Sequence, residues 1–368
     1  MTVLGTGIVV WSSCILFGLV DGLQHSLKVS GDPLDLIIIR KGATNETNGG
    51  FDLDKAEEIA TIPGIARDRD GKLLCALELL NIPVVARIDG TRANVIVRGV
   101  SEASRGLRPR FDLKQGRYLD PGKDECIVSQ SISRRFQGAS LGGLLRTGER
   151  EAYRVVGIFT AGGTAADSEV WVDRKDLERH TAREGSVSCV QLRAASADDF
   201  RSISARIEND AQFRLQAVPE TTYFLEQSRS SLFLKVTGTI IAVFLTVGAM
   251  FAAANTMFAA VNSRIREIGT MRAIGFSRMD ILVSFLFESI LICFLGGLIG
   301  VIATLPLSAL TFGTNNFNTF TELTVSFRFG PAVTLVATAM TAAMGVLGGL
   351  FPAIRAVRLD VVKALREL

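Results

Sequence analysis

Histidine is almost missing from this sequence: His25 and His180 are the only two in 368 residues. They lie far apart and neither has neighbours at metal-ligand spacing, which argues against a zinc centre or a Ser-His-acid triad. No Gly-x-Ser-x-Gly elbow occurs to present a nucleophile. A G-x-x-x-x-G-K-S/T phosphate loop is also missing, so these residues do not bind ATP through that motif. The glycine pair in Ala161-Gly162-Gly163-Thr164 lacks the lysine and reads as loop punctuation. Cysteine is sparse and never arranged as C-x-x-C: Cys14, Cys75, Cys126, Cys189 and Cys293. Cys14 and Cys293 fall in apolar runs as small packing residues, and the odd number between them favours no structural bridge. Net charge is only +3, and without a basic face nothing calls for nucleic acid. No catalytic site, metal or cofactor is expected in this chain.

Charge itself is missing over long stretches. Met1–Val20 and Val236–Val261 carry no charged side chain, and Ile281–Thr321 carries only Glu288. A further run extends from Gly330 to about Ile354. Each can supply the roughly 20 apolar residues that a bilayer-spanning helix needs. The first run lacks the basic start and small-residue cleavage site of a signal peptide, so it reads as an uncleaved span continuing outward through Gly22–Leu27. Between the second and third runs, Arg264, Arg266, Arg272 and Arg278 face only Glu267 and Asp280. Arg355, Arg358, Lys363 and Arg366 follow the fourth. Short segments rich in Lys and Arg stay inside, whereas Thr311–Phe329, with only Glu322 and Arg328, suits an outer loop.

The expected fold is therefore an integral membrane α-helical protein of four transmembrane helices, with a large α+β extracytoplasmic domain inserted between helices 1 and 2. The divisions are 1–27 (first span and stalk), 28–231 (domain), 232–262 (stalk and second span) and 263–276 (inner connection). Then come 277–310 (third span), 311–329 (outer loop), 330–354 (fourth span) and 355–368 (inner tail). Leu232–Val261 as one helix would be about 45 Å long at 1.5 Å per residue, against a hydrocarbon core of about 30 Å. The excess makes a stalk, entered by a continuous helix from Gln227 to Lys235. Lys235 near its outer end can snorkel to the interface.

The inner connection has its own pattern. Ile265, Ile268 and Met271 recur at helical spacing, with Arg264, Arg266 and Glu267 on the other side, which predicts a short amphipathic helix. Gly275 can take the left-handed conformation that ends it, and Ser277 with Asp280 has the form that caps the next helix. Small residues at four-residue spacing, Gly248/Ala252, Gly296/Gly300 and Gly345/Gly349, allow close helix packing in lipid. Glu288 is the ionisable residue well inside a span. It either bonds to the inner connection or a neighbouring helix and fixes their angle, or reaches the inner headgroups or a nearby arginine such as Arg278 and only stabilises the helix start; its shallow depth favours the second.

In the middle region, strands are expected at Leu34–Ile39, Leu73–Leu80, Pro83–Ile88, Ala93–Val100, Glu125–Val128, Tyr153–Phe159, Glu169–Val172 and Ser188–Leu192. Helices are expected at Asp52–Ala60, Ser129–Phe136, Arg174–His180 and Ala197–Asn209. Short mixed elements of this kind suggest an α+β domain of two lobes rather than a regular βαβ array.

The run Arg264-x-x-Glu267-Ile268-Gly269-x-x-Arg272-Ala273-Ile274-Gly275-x-Ser277, followed by Ile281 and Glu288, resembles the signature of the FtsX/MacB-type permeases of ABC transporters. Val97-Arg98-Gly99-Val100, Leu113-x-x-Gly116-Arg117 and Val155–Phe159 are similar to landmarks of the MacB-type outer domain, and Pro352–Arg366 to the family's carboxy terminus. The resemblance implies that Arg264, Glu267, Ile268, Gly269, Arg272, Ala273, Gly275 and Ser277 form a coupling helix docking on a separate cytoplasmic ATPase, which holds the ATP and Mg. It implies a second permease copy or paralogue, a possible periplasmic adaptor, a bacterial inner membrane, and a basic segment before the first helix that these residues do not show. The function it implies is export or extraction of a lipid, lipoprotein or amphiphile by mechanotransmission. The alternative is FtsX-like signalling to an outer partner such as a cell-wall hydrolase, without transport.

Overall fold

In the computed structural model the residues described are 2–149, 151–210, 212–229, 231–309, 311–315 and 321–358. The chain begins with α1 (Thr2–Ser30), β1 (Asp35–Arg40), β2 (Phe51–Asp52), α2 (Leu53–Ala60), β3 (Cys75–Asn81), β4 (Val84–Ala86), β5 (Arg92–Asn94) and β6 (Ile96–Val100). It continues through β7 (Asp112–Gly116), β8 (Glu125–Ser129), α3 (Gln130–Arg135), β9 (Leu144–Arg146), β10 (Ala152–Thr160), β11 (Glu169–Asp173) and α4 (Arg174–Thr181). Next are β12 (Ser186–Val187), β13 (Cys189–Arg193), α5 (Ala197–Asn209), β14 (Leu215–Pro219), α6 (Glu220–Arg229), α7 (Ser231–Ser263) and α8 (Ile265–Ile274). It closes with α9 (Arg278–Thr304), β15 (Thr311–Asn315), β16 (Glu322–Ser326) and α10 (Pro331–Val357). Two compact units result: a helical unit of Met1–Gly22, Leu232–Leu310 and Ser326–Leu368, and an α+β unit of Leu23–Ser231 and Thr311–Val325.

The α+β unit is built on one mixed ten-stranded sheet, in the order β14-β1-β13-β3-β6-β11-β8-β10-β7 with β9 beside β10. β6 and β11 run parallel, as do β8 and β10, and the other pairings in it are antiparallel. Period-2 alternation gives this sheet several hydrophobic cores, of which two are the largest. Leu36, Ile38, Val190 and Leu192 pack under α2 and α5 with Ile59, Ile203 and Ile207. Leu79, Val97, Val128 and Val155 pack with Phe136, Tyr153 and Leu177. The two lobes expected are not separate bodies: one unbroken sheet passes both cores within one compact unit. Helix starts follow local chemistry: Ser129 Oγ accepts from Ile132 N, Asp173 from the amides of Lys175 and Asp176, and Ser196 Oγ from Asp199 N.

Several expectations are corrected. Ala93–Val100 is two strands, β5 and β6, and the Leu113–Arg117 turn contains strand β7, ended by Gly116 at a φ of 76°. β14 was not expected. Thr311–Phe329 is not a bare loop: β15 and β16 pair within the α+β unit. α6 ends at Arg229 and α7 begins at Ser231, so continuity of a helix from Gln227 to Lys235 rests on Ser230, outside the described residues. Lys363 and Arg366 of the inner tail also lie outside them.

Four helices, Thr2–Leu27, Lys235–Ser263, Arg278–Leu307 and Pro331–Val357, are long and apolar enough to cross a membrane. Small residues bring them together as expected at α9 and α10. A Cβ added at Gly300 would meet Gly7 O at 2.6 Å and Trp11 N at 3.1 Å on α1, and one at Gly296 would strike Val3 O and Thr6. Gly345 lies against Ile290 Cα, and Gly349 against Ser289, both on α9. Gly248 and Ala252 are the exception. Nothing approaches Gly248 and Ala252 is exposed, because α7 turns Ala249 and Ala253, one position over, towards Val10, Cys14 and Cys293.

Candidate functional site

Between α7 and α9 the backbone is held at three points. Gly275 takes a φ of 113° and ends α8, its amide donating to Arg272 O and Met271 O. Ser277 and Asp280 then start α9 with a reciprocal cap: Ser277 Oγ accepts from Asp280 N at 3.2 Å, and Asp280 Oδ2 from Ser277 N at 2.8 Å. The short amphipathic helix and its two end signals are therefore as the sequence predicts. α8 turns Ile268 and Gly269 inward, and Ile268 joins Met257, Val261, Ile281, Phe285 and Ala353 in a core at the ends of α7, α9 and α10. Glu267 and Ala273 are exposed, and Arg272 donates to Phe276 O at 3.3 Å.

Glu288 pairs with Arg264: Nη1 stands 3.4 Å from both carboxylate oxygens. A nearby arginine is thus the partner, but it is Arg264 at the N-cap position of α8 rather than Arg278. This pair and Ile268 both fix the first half of α8. Sequence reasoning missed what α8 and its exit leave outward: Ile274 is 76% exposed, and Phe276 and Met279 are exposed beside it. Apolar residues breaking the helical period at a basic turn were the available signal.

The α+β unit holds a second concentration of chemistry that the sequence did not disclose. Register places Glu78 of β3, Arg98 of β6 and Glu169 of β11 on one sheet face, since Leu80 pairs with Arg98 and Arg98 with Trp171. Arg98 donates to Glu78 Oε2 and Glu46 Oε2 at 2.7 Å each and to both oxygens of Glu169 at 2.7 and 2.9 Å. Arg108 binds both oxygens of Glu78, and Trp171 Nε1 donates to Glu169 at 2.8 Å. Burial works against charge on Glu78, but Arg108 and Arg98 outweigh it and hold its carboxyl down at about 2. Glu46, with a single guanidinium partner, is pushed up by burial. Several bonds each at Arg98, Arg108, Glu78 and Glu169 make the cluster a rigid fastening across β3, β6 and β11. Glu322 of the β15–β16 hairpin is also buried. It accepts from Arg87 Nε and Nη2 at 3.0 and 2.7 Å and pairs with Arg135, while Thr324 N donates to Ser168 Oγ at 2.6 Å. All five cysteines are free and buried, and among the described residues no metal-ligating group of three assembles.

Comparison with known proteins covers both units. The family model described as the MacB-like periplasmic core domain matches residues 1–210, and that of the FtsX-like permease C-terminal matches residues 239–361. Macrolide export ATP-binding/permease protein MacB of Nitrosomonas europaea is 24% identical over 99% of this chain and 56% of its own length. Its namesake in Agrobacterium fabrum is 34% identical over 52% of this chain and 26% of its own length. The MacB 1/2 protein of Paracoccus denitrificans is 28% identical over 76% and 43%. The chain thus spans between a quarter and somewhat over half of these relatives. Among solved structures, the periplasmic region of MacB from Actinobacillus actinomycetemcomitans matches 55% of this chain and 95% of its own, at 10% identity and a TM-score of 0.40. The extracellular domain of the noncanonic ABC-type transporter YknZ matches 50% and 99%, at 17% identity and a TM-score of 0.39.

Proposed function

This chain belongs to the family of membrane permeases with a MacB-like periplasmic core domain and an FtsX-like carboxy-terminal half, and from that premise we propose that it is the membrane subunit of an ABC-type complex. In this reading it works as a dimer in a bacterial inner membrane and is driven by an ATPase on another chain. ATP-driven closure of that ATPase moves α8, and α7 and α1 carry the movement to the α+β unit outside the membrane. The cargo is a lipid, lipoprotein or amphiphile; the relatives' names point to macrolides as one such amphiphile.

The observation that carries the reading is α8 itself. A ten-residue helix is fastened inward through Ile268 and through Arg264–Glu288, yet shows Ile274, Phe276 and Met279 outward. Exposed apolar residues next to basic ones make a docking face, and the inward fastenings turn a push on it into movement of α7 and α9. Coupling of this kind needs an element that both ends can bias, and α7 passes unbroken from Ser231 to Ser263.

The test is co-expression with an ABC ATPase taken from the same genome. The ATPase is expected to co-purify, and Phe276→Asp to abolish co-purification. Glu288→Gln is expected to keep the complex but lower its ATP-driven transport roughly fivefold, the scale of an ordinary coupling energy. An ATPase that binds equally well to Phe276→Asp would sink the docking assignment. A complex that hydrolyses ATP but neither binds nor moves any amphiphile would replace export with signalling.

A further inference from the structure

On the face of the sheet that carries Arg98, the α+β unit encloses a cavity of about 210 Å³. That is well beyond the space one water requires. Its walls are partly apolar, with Leu80, Ile96, Phe111 and Phe224 among them. The carboxylates around it are almost all matched: Glu46 and Glu169 by Arg98, Asp32 by Arg193, and Glu322 by Arg87 and Arg135.

Glu220 is different. It is the first residue of α6 and takes two neutral donors, Gln191 Nε2 at 2.6 Å and Asp32 N at 2.9 Å, and no ion pair among the described residues includes it. The charged groups acting on it are Asp35 of β1, Arg108 after β6, Glu46 after β1 and Arg193 at the end of β13, with Asp32 at its own hydrogen bond. Gln191 of β13 is 5% exposed and lines the same cavity, yet its Oε1 has no hydrogen-bond partner. A buried acceptor left unpaired is costly, and here it stands next to a carboxyl with no cation bonded to it among the described residues.

We propose that this cavity binds a small soluble primary amine, its ammonium donating to Glu220 and to Gln191 Oε1 while a short apolar tail lies along Leu80, Phe111 and Phe224. An ammonium carries three donors and no acceptor, which is what a lone carboxylate and an orphaned amide oxygen require. A hydroxyl can offer only one proton and no charge. A carboxylate ligand would bring no donor to the unpaired Gln191 Oε1. The site is independent of the transport reading, because it concerns the α+β unit alone.

Binding has a proton signature. Burial pushes the Glu220 carboxyl up to about 8, so at pH 7 it is mostly neutral. An ammonium arriving beside it favours the carboxylate, and the proton leaves for solvent as the amine binds. Calorimetry on the full chain in phosphatidylcholine nanodiscs, which contain no primary amine, tests this with n-butylamine against n-butanol at pH 7. Buffers of different protonation enthalpy then count the protons released. The expected result is saturable n-butylamine binding with close to one proton released, and n-butanol weaker by at least about tenfold. Glu220→Gln should abolish the proton release and weaken the amine to the level of the alcohol. Equal binding of alcohol and amine, or amine binding without proton release in the unmodified chain, would overturn the proposal whether or not the variant folds. Added phosphatidylethanolamine should leave the affinity unchanged; competition by it would assign the cavity to a lipid headgroup and reject the soluble ligand.

Discussion

A carboxylate bonded to two guanidiniums and a buried one whose bonds are all from neutral donors respond oppositely to pH, and Glu78 and Glu220 supply the two cases. The Glu78 carboxyl is held below its ordinary value, at about 2. Its contribution to stability is present above the unfolded value near 4.5 and is lost as pH falls towards 2. Glu220 lies above its ordinary value, at about 8. Its folded form is favoured below pH 4.5, and stability declines as pH rises from there to 8, by about 1.4 kcal/mol per unit of displacement. Thermal unfolding across pH 5–9 should therefore show Glu220→Gln gaining on the unmodified chain as pH rises, by a few kcal/mol at pH 8. Glu78→Gln should lose about 3–5 kcal/mol at pH 7, the cost of leaving buried charges short of their partner. A Glu220→Gln curve parallel to that of the unmodified chain would refute the first statement. Neither role was legible beforehand. Glu46, Glu78, Arg98, Arg108 and Glu169 belong to separate segments, and only strand register brings them onto one face.

At the scale of elements, glycines that look alike in sequence divide by what faces them. Gly300 has Gly7 O and Trp11 N against it, and backbone cannot yield, whereas Gly248 faces open space. Gly300→Leu should destabilise the helical unit by about 1–3 kcal/mol, the usual cost of overpacking, and Gly248→Leu should leave the detergent-solubilised chain unchanged in thermal unfolding. Equal effects would mean that the α1–α9 contact is not the tight one. The sequence could say that close packing was needed but not on which side, because Gly248 and Ala249 both suit it. Elements with strong periodicity or end signals were legible: the four long helices, α8 with its Gly275 stop and Ser277 cap, α5, and the strands of the two cores. β14 and the β15–β16 hairpin were not. The first follows a helix with no turn signal that distinguishes it from loop. The hairpin gains its order from Glu322 meeting Arg87 and Arg135, more than 180 residues away in the chain.

For the whole molecule, the proposed topology sets Gln115 and Arg272 on opposite sides of the bilayer. A membrane-impermeant maleimide applied to intact cells should label Gln115→Cys and spare Arg272→Cys, and permeabilised cells should label both. Labelling of both residues in intact cells would end the mechanotransmission reading. The experiment needs no cysteine-free background, since Cys14, Cys75, Cys126, Cys189 and Cys293 are all buried, and burial raises the thiol of Cys75 to about 12, far from the reactive thiolate.

Because the α+β unit takes in Thr311–Val325 as well as Leu23–Ser231, it cannot be cut out of the gene as one contiguous fragment. A soluble piece ending before α7 would keep Arg87 and Arg135 while discarding the carboxylate between them. A sound excision would splice the hairpin back on through a linker or replace both arginines with neutral side chains.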